Sequence, residues 1–383
     1  MSVTAARGFR ASGVAAGLKS SGLLDVALVV NDGPRTAGVG VFTANRVKAA
    51  PVLWSQQVLA AGQVEAVLLN SGGANACTGP EGFADTHRSA EAVATGLGTG
   101  AARVAVCSTG LIGVRLPMAR LLPGIDAAVA ALSPDGGTAA AEAIRTTDTF
   151  AKTALAPAAG WSVGGMAKGA AMLAPALATM LAVVVTDAVA DAETLDEVLR
   201  VATARTFDRV DTDGCMSTND TVLLLASGAS GVTPSRAELQ SAVSAVCHEL
   251  AQQMVRDAEG ASKDIEVTVT GGATVEDALE AARAVGRSNL LKCALHGNDP
   301  NWGRVLAAVG TTAAAFEPDQ LDVAINGVQV CRAGAPGDPR EGVDLTGRAV
   351  QIVVDLHAGP HTATLWTSDL TAEYVHENSA YST

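Results

Sequence analysis

A single hydroxyl interrupts the longest apolar run of this chain. The stretch Lys168-Gly169-Ala170-Ala171-Met172-Leu173-Ala174-Pro175-Ala176-Leu177-Ala178-Thr179-Met180-Leu181 sets Thr179 directly behind a small residue, Ala178. A polar side chain in such a run must find hydrogen-bond partners or do chemistry. If the Ala178–Thr179 bond were cut, Thr179 would become an N-terminus, with its own amine beside its own hydroxyl. Base and nucleophile would then sit in one residue. An α-amine titrates near 7.7–8.0, roughly, so a useful fraction is neutral around pH 7. Taken alone, the commoner outcome for such a threonine is a buried hydroxyl bonded to nearby backbone.

Three further segments carry polar groups suited to the same chemistry. Cys107-Ser108-Thr109-Gly110-Leu111-Ile112-Gly113 is a small polar turn after an aliphatic run. A turn of this kind can aim a hydroxyl and a backbone N–H at one point, as an oxyanion hole requires. Asp257-Ala258-Glu259-Gly260-Ala261-Ser262-Lys263 is a mixed acidic and basic cluster, which read locally is a helix end with surface charges. The tail, from Asp369 through Tyr374, Asn378 and Tyr381 to Thr383, holds both tyrosines of the chain in its last ten residues. A frayed end rarely keeps aromatic and apolar residues in register, so a docked tail is predicted.

Other motifs fail. Gly96, Gly98 and Gly100 lack the displaced third glycine of a dinucleotide fingerprint and read as a helix stop. His357 and His361 are four apart, but Gly359 and Pro360 break the helix that a metal pair would need. Gly160–Lys168 does not match the P-loop spacing. Neither a metal nor an organic cofactor is expected.

The elements that must position these groups are legible in part. Val26–Val30, Val64–Leu69 and Val104–Cys107 have strand length and composition. Thr86–Leu97 has helical spacing, and Ser133–Thr138 reads as a turn. A capping box at Thr194–Glu197 predicts a helix through about Thr206. Ser235 and Glu238 open a second helix, whose apolar positions Leu239, Val243, Val246, Leu250 and Met254 mark one buried face. Thr274 starts a third. Ile265–Thr270 alternates as a strand, Asn326-Gly327 is a type I′ hairpin signal, and Val350–Leu356 with Thr362–Thr367 reads as an antiparallel pair. Strands mixed with helices, joined partly by hairpins, predict a layered α/β or α+β sandwich.

Composition bounds the rest. Of 383 residues, 48% are hydrophobic but only 3% aromatic, so the core must be built from small aliphatic side chains. A net charge of −13 argues against nucleic acid as a partner, because phosphate binding relies on basic surface. The apolar run Met172–Val185 falls short of the ~18–20 residues of a membrane span and predicts a buried strand or short helix. Six cysteines without a CxxC pair are expected to be reduced and mostly buried, and the N-terminus lacks the apolar block of a signal peptide. A cytoplasmic protein is expected.

At nearly full length the chain resembles the glutamate N-acetyltransferase family, the ornithine acetyltransferases of arginine biosynthesis. The resemblance is carried by Asn70–Ala76, Ser108-Thr109-Gly110, Thr146–Thr149, Lys168–Thr179, Ser217–Thr221, Glu259-Gly260-Ala261, Gly297–Arg304 and the tail, in that order. Ala170-Ala171 departs from the family's usual second glycine, and the residue after Pro175 lacks the usual polarity. The resemblance implies an αββα-type sandwich of the self-processing, DmpA-like architecture. It implies cleavage between Ala178 and Thr179 into chains 1–178 and 179–383 that cofold as one unit, in a tetramer of two of each. It further implies ping-pong acetyl transfer from N-acetylornithine to glutamate through an ester on Thr179, without a cofactor. Thr109 and Gly110 would form the oxyanion hole; Thr147, Lys168, Thr179, Glu259, Asn378 and Thr383 would line the substrate site. Acetyl-coenzyme A remains open as a second donor. The rival reading is a self-cleaving aminopeptidase or amidase on the same architecture, in which water takes the acyl group.

Overall fold

A computed structural model of the chain describes residues 2–173 and 180–380. Ala178, Thr179 and Thr383 lie outside the described residues. In chain order the first half runs β1 (Phe9–Val14), β2 (Val26–Asn31), β3 (Ala37–Phe42), α1 (Ala50–Leu59), β4 (Ala66–Asn70), α2 (Gly79–Leu97), β5 (Val104–Ser108), α3 (Met118–Ala130), α4 (Gly137–Ala143), β6 (Lys152–Pro157) and β7 (Ser162–Lys168). The second half runs β8 (Leu181–Thr186), α5 (Ala192–Arg205), β9 (Thr221–Ala226), α6 (Arg236–Arg256), β10 (Asp264–Gly272), α7 (Val275–Gly286), α8 (Asn289–His296) and α9 (Trp302–Val309). It closes with β11 (Asp322–Ile325), β12 (Val328–Arg332), β13 (Ala335–Pro336), β14 (Ala349–Asp355), β15 (His361–Ser368) and α10 (Ala372–Ala380).

The strands form three sheets, ordered β1-β2-β4-β5, β3-β9-β8-β7-β6 and β13-β12-β11-β14-β10-β15. Alternation within each strand decides what each face buries. In β2, Val26, Leu28 and Val30 pack with Val93 of α2 and Leu121 and Ile125 of α3. Ala27 and Val29, on the opposite face, pack with Leu181, Val183 and Val185 of β8 and Leu223 and Leu225 of β9. Ala182 and Val184 of β8 then face away, against Leu195 and Leu199 of α5 and Val243, Val246 and Leu250 of α6. Helix, sheet, sheet, helix is the αββα sandwich. The third sheet adds a separate two-layer unit, burying Ile265, Val267 and Val269 of β10 under α7, α8 and α9. The cores are mostly alanine, valine and leucine, as the aromatic-poor composition requires. Among the described residues no helix is long and apolar enough to cross a membrane.

Strands from either side of position 179 share the second sheet, the later pair lying between the earlier ones. β3, β6 and β7 come from before it and β8 and β9 from after it, with β7 antiparallel to β8 and β3 antiparallel to β9. The run Met172–Val185 thus ends in a buried strand, β8.

Some local readings move. The helix expected from Thr194 is capped three residues earlier, because the Asp191 carboxylate accepts the Thr194 N–H at 2.8 Å and captures the first turn. α2 starts at Gly79 rather than Thr86, and Gly137 already belongs to α4. β14 and β15 are not partners: β10 lies between them, parallel to β14 and antiparallel to β15. Their five-residue link arches over the end of β10, where the Ala358 and Gly359 N–H groups donate to the Gly271 carbonyl. Cys77, Cys215 and Cys293 are exposed, so only half of the cysteines are buried. The capping box of Ser235 and Glu238 is present in full, Thr274 caps α7, and Asn326 and Gly327 both take the positive φ of a type I′ turn.

Candidate active site

Five chain segments that the sequence marked send groups into one cavity of about 210 Å3, where the first and second sheets end beside the tail. Its lining includes Thr109, Gly110, Thr147, Lys168, Glu259 and Asn378, all of the described residues that the sequence marked for the site. Each arrives by a different local device.

Thr109 and Gly110 follow β5. The Thr109 N–H donates to Asn70 O at 2.9 Å, and its carbonyl accepts from Gly73 N–H at 3.0 Å, so the turn is tied to the loop after β4. Gly110 has φ +127, and a Cβ there would lie 2.8 Å from Gly73 N. Only glycine fits this close approach in this conformation. No described residue accepts from the Gly110 N–H.

Lys168 ends β7 and is buried, with its Nζ donating to Thr109 Oγ1 at 3.4 Å. An ammonium has no acceptor to offer, so the threonine oxygen accepts and its hydrogen is left to point into the cleft. Burial pulls the Lys168 pKa below the ordinary lysine value, and the nearby Asp148 carboxylate works against that pull. Among the described residues no carboxylate pairs directly with this ammonium.

Glu259 follows α6, and its backbone N–H donates to Ala170 O at 2.9 Å. The departure from the family pattern at Ala170-Ala171 therefore sits in the structure itself: Ala170 is buried and fixes Glu259, while Ala171 lines the cavity. The Glu259 carboxylate accepts from Asn378 Nδ2 at 2.9 Å. The tail docks as predicted, by its first turn: Thr371 Oγ1 donates to Gly260 O at 2.7 Å, and a Cβ at Gly260 would lie 2.3 Å from Tyr374 N. The residues Asp257 to Lys263 are not a solvated helix end. Asp257 and Lys263 are buried, Asp257 holding Lys152 and Lys263 donating to the carbonyls of Leu345 and Gly347.

Sequence reasoning missed Asp213, Cys215 and Tyr374 as lining residues, and gave no role to Asn219. Asn219 Nδ2 donates to the carbonyls of Ala74 and Ser108, at 2.6 and 2.8 Å, bracing the two turns around Thr109. Asp213 accepts the Met172 N–H at 2.6 Å, and burial pushes its carboxyl up to about 6. Its only sequence signal is Asp211-x-Asp213-Gly214, which reads as a turn.

The cavity can do acyl chemistry on an amino-acid derivative. One wall offers a hydroxyl and an unengaged N–H to a developing oxyanion. A buried ammonium and a carboxylate stand where a zwitterionic substrate needs opposite charges.

Comparison with known proteins agrees. The sequence profile of the ArgJ family matches residues 10–383. The arginine biosynthesis bifunctional protein ArgJ of Streptomyces avermitilis is 67% identical over the full length of both chains, and that of Mycobacterium tuberculosis is 58% identical over 99% of this chain and 96% of its own. Among solved structures, the arginine biosynthesis bifunctional protein of Bacillus halodurans is 36% identical with a TM-score of 0.50, pairing 52% of this chain with 98% of that one. The chain belongs to the ArgJ family and is an acetyltransferase of arginine biosynthesis.

Proposed function

We propose that the chain cuts itself between Ala178 and Thr179, and that the freed Thr179 then carries acetyl from N-acetylornithine to glutamate. In the first step the Thr179 hydroxyl attacks the Ala178 carbonyl. The C–N bond breaks, an ester forms, and water releases the new carboxylate, leaving a free α-amine on Thr179. In the second step the same hydroxyl attacks the acetyl carbonyl of N-acetylornithine with the α-amine as base, and ornithine leaves. The amine of glutamate attacks the acetyl ester, N-acetylglutamate departs, and Thr179 regains its proton. Thr109 Oγ1–H and Gly110 N–H stabilise the oxyanion of each tetrahedral intermediate. Lys168 takes the α-carboxylate shared by both substrates, and Glu259, held by Asn378, takes the ornithine ammonium. Thr147 and Thr383 complete the pocket.

The observation that carries this reading is the convergence of six sequence-marked residues from five chain segments on one small cavity. Two facts support the cut. The interleaved second sheet would keep both fragments joined after it. The Bacillus halodurans chain, matched over 98% of its length by 52% of this one, has about the length of the fragment 179–383, which is 383 − 178 = 205 residues. Two of each fragment would make the working assembly, as the family resemblance implies, in the cytoplasm. The relatives are called bifunctional, and acetyl-coenzyme A is the second donor proposed.

N-terminal sequencing of purified protein tests the cut: a fragment beginning Thr-Met-Leu is expected, and its absence ends this reading. An assay with acetyl-coenzyme A and glutamate alone tests the second donor. Faster release of free acetate than of N-acetylglutamate would favour an amidase instead. Lys168→Ala should raise KM for both substrates while cleavage proceeds. Loss of a charged hydrogen bond of ~1.5–3 kcal/mol corresponds to roughly 10- to 100-fold in kcat/KM. Equal loss of cleavage and substrate use would mean that Lys168 serves the fold.

A further inference from the structure

Asp220 is fully buried immediately before β9 and plays no part in the steps above. Its Oδ1 accepts the Met180 N–H at 3.0 Å. The carbonyl of Met180 in turn accepts the Thr221 N–H at 3.1 Å, and the Asp220 carbonyl accepts the Thr43 N–H at 2.9 Å. Met180 is thus held on both backbone groups by one two-residue segment, itself anchored to the end of β3. The strand register sets Lys168, Leu181 and Thr221 side by side. Met180 and Asp220 therefore lie one residue beyond that row, at the end of the sheet that faces the cleft.

The second carboxyl oxygen, Oδ2, has no hydrogen-bond partner among the described residues. The nearby Thr43 hydroxyl donates instead to the Ser217 carbonyl, at 2.7 Å. Burial pushes the Asp220 pKa well above the ordinary carboxylate value, against the Met180 N–H, the Ser217 hydroxyl, the Lys168 ammonium and the Thr43 hydroxyl. A buried polar atom without a partner is costly. An apolar residue would avoid that cost but would leave the Met180 N–H without its acceptor.

We propose that Asp220 is a positioning residue for the acyl chemistry of Thr179: by holding the Met180 N–H it fixes the backbone to which Thr179 is directly bonded, both before and after the cut. This rests on Thr179 being the nucleophile. The effect of Asp220 falls on the rate of attack, and leaves the substrate contacts of Lys168 and Glu259 in place.

The test follows chains made by cell-free synthesis, with cleavage read by intact mass over time. Asp220→Ala is expected to slow cleavage about 100-fold, the scale of a small misplacement of a reacting group. In the fraction that does cleave, kcat falls and KM for N-acetylornithine stays near its wild-type value. Asp220→Asn keeps an acceptor oxygen and is expected to recover most of the loss. If the alanine chain does not fold, Asp220→Val, closer in volume and without an acceptor, replaces it. A folded alanine or valine variant that cleaves at the wild-type rate overturns the proposal, as does an asparagine variant that is folded and equally slow. A wild-type chain that yields no fragment beginning at Thr179 defeats the nucleophile assignment itself, a separate result.

Discussion

Thr179→Ala is expected to remain a single 383-residue chain and to lose acetyl transfer by roughly 10^4-fold or more, the scale seen when a nucleophilic constellation loses a member. The two losses have one cause. Without the hydroxyl no ester forms at Ala178, so no α-amine is released, and the substrate's acetyl group has nothing to join. Thr179→Ser keeps a hydroxyl behind the same small residue and should cleave and transfer, more slowly or not. A denaturing gel, intact mass and an ornithine-release assay on the two variants decide this. Normal cleavage and transfer by the alanine chain would show that the hydroxyl is a passive buried group. The uncut chain should still fold, because the second sheet is closed by β7–β8 and β3–β9 pairing, which the substitution does not touch.

How much of this was legible in the sequence follows from the range over which each signal acts. The capping box at Ser235 and Glu238 and the hairpin at Asn326-Gly327 are local, complete within four residues, and both hold. Pairing of β14 with β10 joins residues 85 positions apart (Ile265 with Val350), and nothing in the link between β14 and β15 announces that a third strand lies between them. The site behaves the same way. Thr109, Thr147, Lys168, Glu259 and Asn378 each have a bland local reading, as a turn, a loop or a surface charge. Only family resemblance grouped them beforehand, and the fold supplies the physical reason: five chain segments end at one cavity. Asp213 carried only a turn signal and Asp220 no sign of its role, since a buried carboxyl reached by a distant N–H is a tertiary feature. The same holds for the acidic and basic cluster at 257–263, whose charges are buried by partners about 80–105 residues away.

Lys152→Met should destabilise the fold by about 3–5 kcal/mol, the cost of leaving buried charge uncompensated. Lys152 is wholly buried at the start of β6. Its ammonium donates to Asp148 Oδ1 at 2.7 Å and to Asp257 Oδ2. Asp148 also accepts the N–H groups of Gly169 and Thr146, at 2.7 and 3.0 Å, while Asp257 accepts the Thr149 N–H at 3.0 Å and its hydroxyl. One ammonium therefore joins the end of α6, the turn that carries Thr147 and the turn after Lys168. Burial alone would raise the Asp148 pKa. The Lys168 and Lys152 charges, with the Lys152 and Thr146 hydrogen bonds, outweigh it and hold the group well below the carboxylate range. A depressed folded pKa contributes stability that is fully present above the unfolded value of about 3.9 and is lost as pH falls below it. Lys152→Met removes part of that depression, so acid unfolding should begin at higher pH in the variant. Arg200→Met is the matched control, because the Arg200–Asp196 pair is 62% and 39% exposed and such pairs contribute about 0–1 kcal/mol. Denaturant titration of both variants at neutral pH, then across the acid range, gives the comparison. If Lys152→Met costs no more than Arg200→Met, the buried carboxylates have another source of compensation, and the turn beneath Lys168 is held by its backbone hydrogen bonds alone.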